Sequence, residues 1–163
     1  MQTTLELEEQ SGSPLGSDPC SVRALSLWRP WADWVILGWK PIETRLHQRF
    51  RCLGERPTTL AIHAAAKWDK AAIEAARQWL TEDQIRLTET MIRENPLEGH
   101  VIGTAEVRSF GPLSDKHEAR ALIECRSVQR YGLFLVNPTP LVLPYKVRGM
   151  QGLFRVQIPA QNA

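Results

Sequence analysis

A chain of 163 residues, 43% of them hydrophobic and 23% charged, has room for one domain with its own core and is too apolar for wholesale disorder. The net charge of +2 does not require a nucleic-acid partner, but it is unevenly spread: residues 1–20 hold Glu6, Glu8, Glu9 and Asp18 and no Lys or Arg, so residues 21–163 carry +6. A moderately basic body behind an acidic leader permits a phosphate-bearing partner without demanding one.

In chain order, residues 1–20 are acidic and then rich in Ser, Gly and Pro, which predicts a flexible leader ahead of one domain over 21–159 and a short tail over 160–163. Val22–Leu27 reads as a first strand. Pro30 suits a first helical position, and Trp31, Trp34, Val35 and Gly38 recur at helical spacing, with Gly38 as terminator. Lys40–Arg45 and Thr58–Ala64 alternate as strands do. Trp68, Ala72, Ala75 and Trp79 return at helical spacing. Thr81-Glu82-Asp83-Gln84 matches a capping box for a further helix to about Glu94, stopped by Asn95-Pro96. His100–Val107, Tyr131–Val136 and Gly152–Ile158 read as strands, Ser114–Ser127 as weakly helical, and Asn137-Pro138-Thr139-Pro140 as a turn or extended edge. Short strands around two to three flanking helices predict an α+β domain in the form of a small, closed or nearly closed β-barrel.

Cys20, Cys52 and Cys125 are odd in number and lack CxxC spacing, which argues against a disulfide framework and against structural zinc. No His or Cys pairing has metal-ligand spacing, so neither a metal nor a cofactor is expected. The start of the chain does not read as a signal peptide, and the apolar run Trp31–Trp39 is interrupted by Asp33 and too short to span a bilayer. The expected setting is cytoplasmic, away from membranes.

The most specific stretch is Leu25-Ser26-Leu27-Trp28-Arg29-Pro30-Trp31-Ala32 followed by Gly38-Trp39-Lys40-Pro41-Ile42-Glu43-Thr44-Arg45. It resembles the ASCH (activating signal cointegrator homology) family, whose signature is LSxxQPWA, a short helix, then GxKxxExR; only the Gln departs, replaced by Arg29. Ile62-His63-Ala64-Ala65 with Lys67, and the closing Gly149-Met150-Gln151-Gly152-Leu153-Phe154, are similar to the family as well, so the resemblance spans residues 22–158. It implies a PUA-like β-barrel whose cleft, lined by the GxKxxExR segment, accepts RNA or a nucleotide-like ligand. Family members also include nucleic-acid-binding and coactivator modules, an acetylcytidine amidohydrolase branch and ribonuclease-like relatives.

Read as chemistry alone, Glu43 and Arg45 share one face of a strand while Ile42 takes the other. With Lys40 they form either a cationic pocket with a fixed acceptor or a structural ion pair on the barrel wall; the resemblance favours the pocket. These three are the catalytic candidates. The amidohydrolase branch implies a threonine where Glu43 stands; Thr44 is expected to face away, and Glu106 and Glu118 are only loose matches for that branch's distant glutamate. Trp28, Arg29 and Trp31 are candidates for a stacking platform, with core packing preferred for Trp31 and Trp34, and Trp39 is the better exposed indole. Arg45, His47, Arg49, Arg51 and Arg56 either track a phosphate backbone or form a solvated loop. His63 reads as a satisfied strand residue or a ligand contact, with Lys67 beside it, and Lys146, Arg148 and Gln151 extend the same surface. A metal-free nuclease would draw on Lys40, Arg45, His63 and Tyr131. Three functions follow: a binding module for single-stranded RNA or a nucleotide-like ligand, a small hydrolase of RNA or a modified nucleoside, and a protein-interaction module in transcription regulation.

Overall fold

The computed structural model describes residues 20–159, so the leader lies outside it except for Cys20, as does the tail. The order is β1 (Cys20–Arg29), α1 (Trp31–Ile36), β2 (Ile42–Arg45), β3 (Thr58–Trp68), α2 (Ala72–Ala76), α3 (Glu82–Glu94), β4 (His100–Pro112), α4 (Glu118–Ala121), β5 (Tyr131–Lys146) and β6 (Leu153–Ile158), with short 3-10 turns at Arg51–Gly54, Arg77–Trp79 and Asp115–His117. The fold is α+β. One six-stranded mixed sheet runs β2-β5-β4-β3-β1-β6, with β1 and β3 parallel and the other pairs antiparallel.

The hydrogen-bonded ladder has two ends, at β2 and β6, yet the sheet curls: β1 and β2, three strands apart in the order, line one cleft. Register shifts along β4 and β5, between Val101 and Gly103, Thr104 and Glu106, and Val107 and Ser109, supply the bends. Asn137-Pro138-Thr139-Pro140 takes the extended-edge alternative: it lies within the 16-residue β5, past the residues that β2 pairs, where Asn137 takes a positive φ of 51° and Thr139 pairs with Thr104.

Alternation along the strands sorts the core. Leu25 and Leu27 of β1, Leu60 and Ile62 of β3, Val107 of β4 and Leu133 of β5 face the concave side, closed by Val35 and Ile36 of α1 and by Phe50 and Leu53. Ala24, Ala61 and Val101 face the other way, against Phe154 and Val156. The helices cohere through Trp34, Ala72, Ala76, Leu80, Ile85 and Leu122. The capping box forms as the sequence implies: Thr81 Oγ1 accepts from the Gln84 amide (3.2 Å) and Gln84 Oε1 from the Thr81 amide (2.9 Å). The helical pattern from Trp68 to Trp79 does not hold throughout. Trp68 closes β3, and only Ala72–Ala76 is α-helical, followed by a 3-10 turn.

One charged residue ties these elements together. Arg29, at the end of β1, is fully buried. Its Nε and Nη2 donate to the two oxygens of Asp33 in α1 (2.9 and 2.8 Å), and its Nη1 donates to Asn95 O (2.6 Å) and Glu98 Oε1 (3.1 Å) beyond α3. The guanidinium lies 4.5 Å from the ring centroid of Trp68, whose Nε1 donates to the same Glu98 carboxylate at 2.5 Å. Removing one member of such a buried set strands the others in low dielectric. Arg29→Met is therefore expected to destabilise the fold by about 3–5 kcal/mol in urea denaturation, and Arg29→Met/Asp33→Leu to recover much of that loss.

Candidate functional site

The motif cleft opens where the C-terminal end of β1 meets β2. It encloses about 290 Å³ and is lined by Ser26, Leu27 and Trp28 of β1, Trp31 of α1, Lys40, Glu43, Thr44 and Arg45 around β2, and Asp69 and Ile123. Gly38, with φ of +76°, ends α1 sharply enough for Lys40 to turn back beneath Trp31.

Lys40 is almost wholly buried, and its ammonium is met by three acceptors: Ile42 O and Ala121 O at 2.7 Å each, and Glu43 Oε2 at 3.6 Å. It also stands 5.4 Å from the Trp31 ring centroid. Burial lowers its pKa, while the Glu43 carboxylate opposes that shift. The two carbonyls and the carboxylate favour the ammonium form, while burial and the nearby Arg45 cation work against it.

Glu43, also buried, spans the two cations, with Oε1 lying 3.2 Å from Arg45 Nη2. That contact is electrostatic without hydrogen-bond geometry: both Nε and Nη2 of Arg45 are buried atoms with no hydrogen-bond partner among the described residues. Arg45 rests 5.1 Å from the Phe50 centroid and keeps 22% of its side chain exposed toward the cleft. Buried guanidinium donors without acceptors are costly, and the Glu43 carboxylate beside them offsets part of that cost.

The aromatic wall differs from expectation. Trp31, assigned to the core, is only partly buried and lines the cleft; its Nε1 donates to Asp69 Oδ2 (2.8 Å) and its ring meets Trp34 edge to face at 4.9 Å. Trp34 alone takes the core position, donating to Thr88 Oγ1 at 2.9 Å. Trp28 is 46% exposed and forms the outer wall, with the Lys67 ammonium 4.3 Å from its ring centroid. Arg29 leaves the proposed platform altogether, since its guanidinium is spent inside the fold. Trp39 packs on the helix cluster instead of the cleft. Thr44, expected to face away, lines the cleft beside Glu43 because β2 is an edge strand pairing only with β5, and the cleft wraps its open side.

Four other predicted residues gather in a second cleft. His63, Lys146, Arg148 and Gln151 border about 600 Å³ together with Ser26, Ala65, Ala66, Gly99, Val147, Gly149 and Met150. Ser26 is the wall the two clefts share. Ser26 and His63 are register partners on β1 and β3, and Ser26 Oγ lies 2.9 Å from His63 Nδ1. His63 Nε2 lies 3.0 Å from Val147 O, which only accepts, so Nε2 carries the proton and Nδ1 accepts from Ser26. Gly149 seals this pair: a Cβ there would sit 2.5 Å from His63 Cε1 and 2.8 Å from Ser26 Oγ, so the closing motif needs glycine for space.

The basic run is dispersed rather than continuous. Arg45 belongs to the motif cleft, Arg51 to a shallow hollow with Gln48 and Tyr131, and Arg56 to a third concavity at the start of β3. Tyr131 stacks on Phe110 (5.9 Å, 7°) and does not join Lys40, Arg45 or His63. Glu106 and Glu118 line neither cleft; Glu118 Oε1 accepts from the Cys125 amide at 3.0 Å. Cys52 and Cys125 are free thiols. Among the described residues no group of three or more His, Cys, Asp or Glu side chains is arranged to hold a metal ion, and no helix is long and apolar enough to cross a membrane.

Burial lowers the His63 pKa below its ordinary 6.5, the hydrogen bond to Val147 O opposing the shift. In the window below 6.5 the unfolded chain then binds more protons at this residue than the folded one, so stability falls as pH falls. The unfolding free energy is expected to hold steady above about pH 6.5 and to decline on acidification below it. Denaturant titrations across pH 5–8 should show a shallower decline in His63→Gln.

No protein-family model matches the chain, and no curated protein matches it. Among solved structures the chain is similar to ASCH from Zymomonas mobilis, at 16% identity over 83% of this chain and 87% of that one, with a TM-score of 0.45. It is also similar to two mutants of that protein, at 16% and 14% identity, TM-scores of 0.45 and 0.41, over 83% of this chain and 89% and 87% of theirs.

Proposed function

We propose that the motif cleft binds single-stranded RNA or a nucleotide-like ligand. The observation that carries this reading is Arg45, whose guanidinium side chain is 22% exposed at the wall of a cleft flanked by two indoles and anchored from behind by Glu43. A phosphate or a base carbonyl in the cleft can accept from its exposed edge, in a geometry a fork-shaped donor can use. Trp28 offers a half-exposed ring on which a splayed base can stack, with the Lys67 ammonium 4.3 Å from its centroid as a neighbouring charge. Lys40 acts at close range as a fixed charge, and Glu43 holds Arg45 in place.

A hydrolase reading has one observation in its favour. The Ser26 hydroxyl donates to His63 Nδ1, His63 is oriented by Val147 O, and Ser26 borders the motif cleft. That is the order of contacts by which a histidine takes a proton from a hydroxyl nucleophile.

Titration of labelled single-stranded RNA at two salt concentrations, with the RNA run on a gel afterwards, separates these readings. Trp28→Ala is expected to weaken binding by roughly 1–3 kcal/mol, the cost of one lost stacking contact. Arg45→Gln should reduce the slope of log K against log salt by about 0.7 for each phosphate contact it removes. Equal binding by wild type and both variants would reject the cleft as the RNA site. Shortened RNA, abolished in Ser26→Ala, would move the protein to the hydrolase reading.

A further inference from the structure

The third concavity lies at the other end of β1, where the concave core runs out. It holds about 660 Å³, bounded by Ser21, Val22 and Arg23 of β1, Thr58 and Thr59 of β3, Arg155 of β6, and Cys52, Glu55 and Arg56 from the turn between β2 and β3. Arg23 and Arg155 are direct register partners across the antiparallel β1–β6 pair. Two like charges placed opposite one another destabilise a sheet. A charge on Arg155 is understandable as protection of the edge strand, but β1 is an interior strand and needs no such protection.

Arg56 brings a third guanidinium to the same hollow. Among the described residues none of these three guanidiniums makes an ion pair or a hydrogen bond; the same holds for Arg49, Arg51, Arg108, Arg120 and Arg148, but of these eight only Arg23, Arg56 and Arg155 share one concavity. Glu55, the single acid at the rim, leaves the site with a formal charge of +2.

We propose that Arg23, Arg56 and Arg155 form a binding site for a dianionic phosphate group, separate from the motif cleft. A carboxylate or an internal phosphodiester carries one negative charge and leaves the site half compensated, whereas a phosphomonoester dianion neutralises it and a pyrophosphate carries at least as much charge. Guanidinium forks match phosphate oxygens two at a time, and the Ser21 and Thr59 hydroxyls add donors at the rim. The same dianion is presented by free inorganic phosphates and by the phosphorylated end of a nucleic acid.

The first measurement is calorimetric titration of the full chain with inorganic pyrophosphate, with acetate at matched ionic strength as control. Saturable pyrophosphate binding, weakened at least tenfold in Arg23→Gln/Arg155→Gln and in Arg56→Gln but unchanged in Trp28→Ala, is the expected result. Binding that survives in the arginine variants, or that acetate reproduces, overturns the proposal. Thermal unfolding at low salt checks the variants themselves: Arg23→Gln/Arg155→Gln relieves a repulsion and should raise the midpoint without anion, while a lowered midpoint would mean that the arginines serve the fold and would overturn the site. A pair of RNA oligonucleotides of one sequence, 5′-phosphorylated and 5′-hydroxyl, then identifies the source. A preference for the phosphorylated strand that disappears in the arginine variants assigns the site to a nucleic-acid end; pyrophosphate binding with no such preference assigns it to free phosphates. Because Lys40, Glu43, Arg45 and Trp28 are untouched in these variants, failure here leaves the motif cleft standing.

Discussion

The buried guanidinium of Arg29 is the constraint on which the motif cleft rests. Its five N–H groups are spread over one carboxylate in α1, one carboxylate and one carbonyl beyond α3, and the face of an indole at the end of β3. These elements reach the same place from different parts of the chain, and β1, α1 and the end of β3 each have a residue at the cleft or next to it. Trp28 precedes Arg29, Trp31 opens the helix that Asp33 belongs to, and Asp69 follows Trp68. The Asp69 amide donates to Arg29 O at 2.7 Å, so the acceptor for Trp31 is itself set by the strand it serves. Arg29 is thus a support rather than a surface group: its guanidinium reaches four acceptor atoms on two segments of the chain, which a shorter amide cannot.

The cleft's own charges follow a different logic. Lys40 and Arg45 would repel one another in a low-dielectric site, and Glu43 between them makes their co-burial tolerable. The two cations nevertheless end in different conditions. Lys40 donates to two backbone carbonyls inside the fold, while Arg45 keeps part of its side chain exposed at the cleft wall.

Much of this was legible before any coordinates. Strand and helix periods place β1, α1, β3, α3, β4 and β6 within a few residues of where they fall, because amphipathic alternation and local capping act over short distances; the Thr81 box is the clearest case. The length of β5 was legible only in part. Two prolines and an asparagine left a turn and an extended edge both open, and pairing with β4 through bulges carries the strand past them. The Trp68–Trp79 pattern misled for a related reason: a helical spacing of apolar residues cannot tell one helix from the end of a strand followed by a short one.

The sequence by itself determined the motif residues, the basic balance of the ordered chain and the α+β class, since each is a property of residue types and near-neighbour spacing. The tertiary structure alone decided which residues share a cleft. It sent Arg29 inward and Trp31 outward, parted His63, Lys146, Arg148 and Gln151 from Lys40, Glu43 and Arg45, and scattered the basic run over three hollows. It also set Arg23 opposite Arg155, 132 positions apart in the chain. The physical reason is the same throughout: curling a sheet brings distant strands edge to edge, and which side chains then meet depends on register and bulges, quantities that no local pattern of residues encodes.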